Sequence, residues 1–183
     1  MDTIELLLHP VRLRIVHAMS GGRALTTFQL RARMPDVSKA TMYRQVGLLV
    51  DGGILEVEGE QKVGGTVERR YRLRGPSAVI SADAAASVSL EDYRRAFATA
   101  MTALLGEFNA YLDRGHADPT ADSVGFRQHS LWLSPNERDE LISEMRKAIV
   151  PQLKNEPAPG RRQHLLSPIL FPIEDSPLQT PEK

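Results

Sequence analysis

The chain has 183 residues, 23 Lys/Arg against 23 Asp/Glu, and no cysteine. Its length suits one ordinary domain or two small ones, and a hydrophobic fraction of 42% argues against wholesale disorder. The missing cysteines exclude a disulfide framework, a thiolate zinc site and cysteine-based metal sensing. Net neutrality hides a split. Residues 1–75 hold 12 Lys/Arg against 8 Asp/Glu, and residues 76–183 hold 11 against 15, so the halves carry +4 and −4. No secretory signal pattern opens the chain, and no apolar run approaches the ~20 residues that span a bilayer. A cytoplasmic protein with no membrane partner is the expectation.

Residues 4–19 follow a helical period, with Leu7, Leu8, Val11, Ile15 and Met19 on one side. Pro10 has no N–H to donate, so a regular helix starts or kinks there. Ser20-Gly21-Gly22 is a stop signal. A short helix over 27–34 is expected to turn Phe28 and Leu30 inward, and Pro35-Asp36 is a turn. Ser38 can cap a third helix. At 100° per residue Met42, Val46 and Leu49 form its buried stripe, leaving Ala40, Tyr43, Arg44 and Gly47 outside. Asp51-Gly52-Gly53 ends it. The period then falls to two: residues 54–58 read as a strand with Leu55 and Val57 inward. A polar loop over 59–66 leads to a strand over 67–73 with Val67, Tyr71 and Leu73 on one face, completing a hairpin.

Beyond Gly75-Pro76-Ser77 an Ala-rich connector, 78–89, leads to the longest helix, 90–114. Its apolar stripe includes Leu90, Tyr93, Phe97, Met101, Leu104, Phe108 and Leu112. A stripe of about seven turns outruns what a small domain covers by itself. A strand is expected over 124–133. Ser134-Pro135-Asn136-Glu137 is a capping box with proline at the first helical position. The helix it opens should run to about residue 153 and bury Leu141, Met145, Ile149 and Leu153. A short edge strand is expected over 164–173 and a disordered tail over 174–183.

The order helix, helix, turn, helix, hairpin resembles the winged helix-turn-helix of the ArsR-like repressors. The likeness lies in His9-Pro10-Val11-Arg12-Leu13-Arg14-Ile15-Val16, in Ser38-Lys39-Ala40-Thr41-Met42-Tyr43-Arg44-Gln45-Val46, in Leu48-Leu49-Val50-Asp51-Gly52-Gly53-Ile54-Leu55 and in Glu68-Arg69-Arg70-Tyr71-Arg72-Leu73. It implies a DNA-binding domain over 1–75, with the helix from Ser38 in the major groove and the hairpin 54–73 as wing. Candidate DNA contacts are Ser38, Lys39, Thr41, Tyr43 and Arg44 on that helix, and Lys62, Arg69 and Arg70 on the wing. Arg44 suits a guanine edge; the wing cations suit phosphates. The plainer reading of each charge is a solvated surface side chain. Regulators of this kind bind pseudo-palindromic double-stranded operators as homodimers, so a repressor is expected.

Residues 76–117 then read as connector and dimerisation helix, with Tyr93, Phe97, Met101, Leu104 and Phe108 at the contact. Trp132-Leu133-Ser134-Pro135-Asn136-Glu137 is similar to a segment found C-terminal to the winged helix in a subgroup of these regulators. That likeness makes 118–173 a small α+β module, serving as a dimer surface or as the sensor of a small-molecule effector. Phe126 and Trp132 could line its pocket, or simply be core. The fold class expected is mainly α with small β-hairpins. His9, His17, His116, His129 and His164 lack the spacing of metal ligands, and no catalytic set or cofactor motif is legible. Neither metal, cofactor nor enzymatic activity is expected. The rival reading is a winged helix used for protein–protein interaction without DNA binding.

Overall fold

The computed structural model describes residues 3–63, 65–74 and 89–173. The connector expected over 78–89 lies, but for its last residue, outside them, as does the tail 174–183. The chain opens with α1 (Thr3–Leu7) and α2 (Pro10–Met19). Pro10 takes the first position of α2, where its absent N–H would have had no partner, and His9 before it is extended. Gly21 and Gly22, both at positive φ, turn the chain after Met19.

A strand not expected from the sequence, β1 (Leu25–Thr26), pairs antiparallel with the wing's second strand. Thr26 also caps α3 (Thr27–Arg33): its hydroxyl accepts from Gln29 N, and the Gln29 side chain accepts from Thr26 N. Phe28 points out of this helix and is exposed, contrary to expectation, while Leu30 is buried. Two residues apart on a short helix, they cannot both face the core.

Next comes α4 (Lys39–Asp51), followed by β2 (Leu55–Val63) and β3 (Thr66–Leu73). The sheet order is β1-β3-β2. The strands continue where a polar loop was expected over 59–66, making a longer wing with a tighter tip. Leu55 is fully buried opposite Leu73, but Val57 and Val67 are exposed. The hairpin outruns the helices that cover its base, and a register shift between Val57 and Gly59 bends it. The core joins Ile15, Met19, Leu30, Met34, Met42, Val46, Leu49 and Leu55.

The long helix α5 (Leu90–Leu112) packs on α2 through its small residues. Ala103 and Ala110 are buried there, and Gly106 faces the Arg14 guanidinium so closely that an added Cβ would lie 3.0 Å from Nη1. Arg14, only 3% exposed, forms a bidentate pair with Asp36 (2.6 and 3.0 Å) and donates to Glu107 (3.1 Å). One side chain thus ties α2, the turn before α4 and α5 together. Burial lowers the pKa of the neighbouring His17, partly offset by Glu107.

The C-terminal half departs most from expectation. No residue of 118–173 is in a strand. The stretch 124–133 and the stretch 164–173 find no partner edge, and Pro168 and Pro172 remove donors from the second. The capping box of α6 (Pro135–Ile149) is present, with Ser134 and Glu137 bonded reciprocally. The α-ladder stops at Ile149 and gives way to a 3-10 turn (Val150–Lys154) containing Pro151. Leu141, Met145 and Ile149 are only half-buried and Leu153 is exposed, because α6 packs on little beyond that turn. The chain then returns as a strap: the Gln163 amide donates to His17 O, its oxygen accepts from Arg23, Arg162 pairs with Asp122, and Phe171 meets Phe97 edge-on. Among the described residues no helix is long and apolar enough to cross a membrane.

Candidate nucleic-acid interface

Ser38 is extended and its hydroxyl accepts from Thr41 N at 3.2 Å, starting α4. It also donates to Thr41 Oγ1 at 2.9 Å, so both hydroxyls are tied to each other within the first turn. Met42, Val46 and Leu49 are buried as their spacing predicts, joined by Gln45. The opposite face is open. Ala40, Tyr43 and Arg44 are exposed, and a Cβ built on Gly47 would meet nothing within 4 Å. Lys39 Nζ lies 5.9 Å from the centre of the Tyr43 ring, a surface cation–π contact that holds the ammonium over the outer face. The helix N-terminus adds its own partial positive charge there.

Two residues that sequence reasoning left aside, His9 and Arg12, lie near this surface; both are half-buried, and Arg12 Nη2 donates to Glu5 O at 3.2 Å. The positive charges of Arg12 and Arg44 both act on His9, whose pKa is lowered chiefly by burial and then by those two guanidinium groups. The first turn of α2 therefore stands beside α4. Pro10 marks His9 and Arg12 as belonging to a helix start, but their approach to Arg44 is a tertiary fact, set by the packing of α2 against α4.

The wing differs in charge from what its arginines suggest. Arg70 pairs with Glu58 at 3.3 Å; Arg72 and Arg74 both pair with Glu56, at 2.7 and 3.4 Å. Arg69 lies opposite Glu60 in the strand register and is exposed, as is Lys62 near the tip. Interleaved carboxylates thus offset Arg70, Arg72 and Arg74 of the wing, while Lys39 and Arg44 of α4 stay exposed.

Of the residues expected at a dimer contact, Tyr93 and Phe97 are exposed, and Met101, Leu104 and Phe108 half-buried. The stripe faces away from the winged helix. Phe126 and Trp132 do not share a strand. Each is 78% exposed, and Phe126 stands edge-on against Phe108 with ring centres 5.3 Å apart. They belong to an irregular segment that no second layer covers.

Residues 7–58 match the family model of a helix-turn-helix domain. The match spans α2 to the start of β2 and contains the whole outer face of α4. The chain thus carries an N-terminal helix-turn-helix domain. No curated protein matches the chain.

Proposed function

We propose that this chain is a sequence-specific transcriptional regulator of the ArsR-like kind, a repressor that binds a pseudo-palindromic operator as a homodimer. In this reading α4 enters the major groove, Arg44 reads a base edge, Lys39 and Arg12 hold phosphates, and the wing leans on the adjacent backbone. The observation that carries it is the division of α4: Met42, Val46 and Leu49 are buried, while Lys39, Tyr43 and Arg44 stand open beside His9 and Arg12. Small residues, Ala40 and Gly47, leave room for close approach to a duplex.

Arg44→Ala should weaken operator binding by about 1–3 kcal/mol and relax preference at one base position. Lys39→Ala should weaken all sequences about equally and reduce the salt slope by about 1. Titrations of labelled operator at several salt concentrations measure both. Unchanged affinity in both variants, with folding intact, removes α4 from the groove.

One observation favours the second reading, a winged helix that binds protein instead. Arg70, Arg72 and Arg74 of the wing are already paired with the chain's own glutamates. Salt separates the two readings: phosphate binding falls steeply as salt rises, whereas an apolar protein interface hardly responds.

A further inference from the structure

The start of α2 gathers positive charge around a group that can gain more. His9 is fixed there by its backbone: it is extended, its carbonyl accepts from Leu13 N at 3.0 Å, and Pro10 follows as the first residue of the helix. Its side chain takes no part in capping α2 and is half-buried. Nδ1 of His9 and Nε of Arg12, one turn further on, are both enclosed without a hydrogen-bond partner among the described residues. The charges that act on His9 are the guanidinium groups of Arg12, on its own helix, and of Arg44, from α4. Among the described residues no carboxylate acts on His9 itself. On α1, Glu5 acts on Arg12, whose Nη2 donates to the Glu5 carbonyl. Asp36, in the turn before α4, and Glu107 of α5 are engaged by Arg14. On β3, Arg70 and Arg72 pair with glutamates of β2. Partial burial, then the two permanent cations, put the His9 pKa below its ordinary 6.5, so the imidazole is mainly neutral at pH 7.

From this arrangement we propose that binding of a DNA duplex is coupled to protonation of His9, which becomes an added cation of the interface once phosphates lie against Arg12 and Arg44. The inference rests on the DNA-binding reading above and adds a regulation to that same surface. A phosphodiester beside either arginine offsets the charge that keeps the proton off His9, and it attracts the imidazolium directly. The effect is reciprocal: if DNA raises the affinity of His9 for a proton, protons raise the affinity of the protein for DNA. The direction with pH follows. Affinity rises as the pH falls through the pKa of His9 in the complex, and it levels off below the free protein's value, which is under the ordinary 6.5. DNA phosphodiesters keep their charge throughout that range, so the dependence belongs to the protein. Such a regulator grips its operator more firmly as the pH drops.

The test titrates the full-length protein with a labelled duplex, selected by that protein from a random pool, at constant salt from about pH 8.5 to about pH 5.5. Affinity should rise about tenfold for each unit by which the duplex raises the His9 pKa. His9→Gln keeps a polar side chain but cannot titrate; it should bind like the parent at the alkaline end and show no rise. His17→Gln, altered at the other half-buried histidine of α2, should keep the rise. Calorimetry of the unaltered protein in two buffers of different ionisation enthalpy counts the protons taken up on binding and needs no variant. Net uptake is expected near neutral pH. No uptake with a flat profile, or a rise that survives in His9→Gln or is lost in His17→Gln, overturns the coupling and leaves DNA binding standing. A protein that selects no duplex at any pH overturns both.

Discussion

Leu49→Ala should destabilise the N-terminal domain by about 2–5 kcal/mol, the cost of removing a fully buried leucine and leaving a cavity. Leu49 has no exposed surface and sits among Ile15, Leu30, Met42 and Leu55. Its carbonyl also accepts from Ile54 N at 2.9 Å, where α4 hands over to the wing. The cavity would open at the junction of helix, hairpin and α2, where three elements are fixed and none can collapse freely. Arg44, five residues earlier and exposed, should tolerate alanine within about 0.5 kcal/mol. Urea unfolding of the two variants tests which way α4 is turned. Equal small losses would mean that the stripe through Leu49 is not the inner face.

The second large effect is expected at Arg14. Replacing Asp36 and Glu107 together by alanine leaves a buried guanidinium without its carboxylates, which costs about 3 kcal/mol or more. Asp36 is itself half-exposed, so water offsets part of that loss and the lower figure is the better guide. Either single replacement should cost less, because Arg14 keeps one partner. Arg14→Met, which removes the charge and keeps an aliphatic stem against Gly106, should cost less than the double variant. The sign with pH is fixed too. The hydrogen bond from Arg14 holds the Asp36 carboxyl below its ordinary value of 3.8. Its contribution is therefore complete at neutral pH and is lost as the pH falls below that value. Denaturation of the four variants and the parent at pH 7 provides the check; a double variant as stable as the parent would make the network incidental. The pairing also joins α5 to the turn that sets the start of α4, so it fixes where one lies relative to the other.

Signals confined to a few neighbouring residues were legible in the sequence: Pro10 at a helix start, Ser38 as a cap, the Ser134 to Glu137 capping box, the Met42–Val46–Leu49 stripe. Each is decided by backbone donors or by helical period within one or two turns. The Thr26 to Gln29 capping box is of the same kind and could have been found from its residues. Strand β1 could not, since two residues become a strand only when β3 lies alongside.

Errors arose where period had to stand in for tertiary cover. Val57, Val67 and Phe28 have apolar side chains at plausible inward positions, yet the wing outruns its cover and α3 is too short to bury two faces. The strands expected over 124–133 and 164–173 failed for want of an edge to pair with. At the candidate site, the α4 face was visible in the sequence, whereas the approach of His9 and Arg12, and the glutamates that neutralise the wing, depend on packing and register across many residues.

The central claim is that the open face of α4 reads DNA. Selection of bound fragments from a random or genomic pool by the full-length protein tests it most directly. Enrichment of one inverted-repeat sequence is expected, its half-sites about one helical turn, or a multiple of it, apart, with Arg44→Ala losing preference at a single position in each half. Recovery of no common sequence, or of the same sequence undiminished by Arg44→Ala, would contradict it.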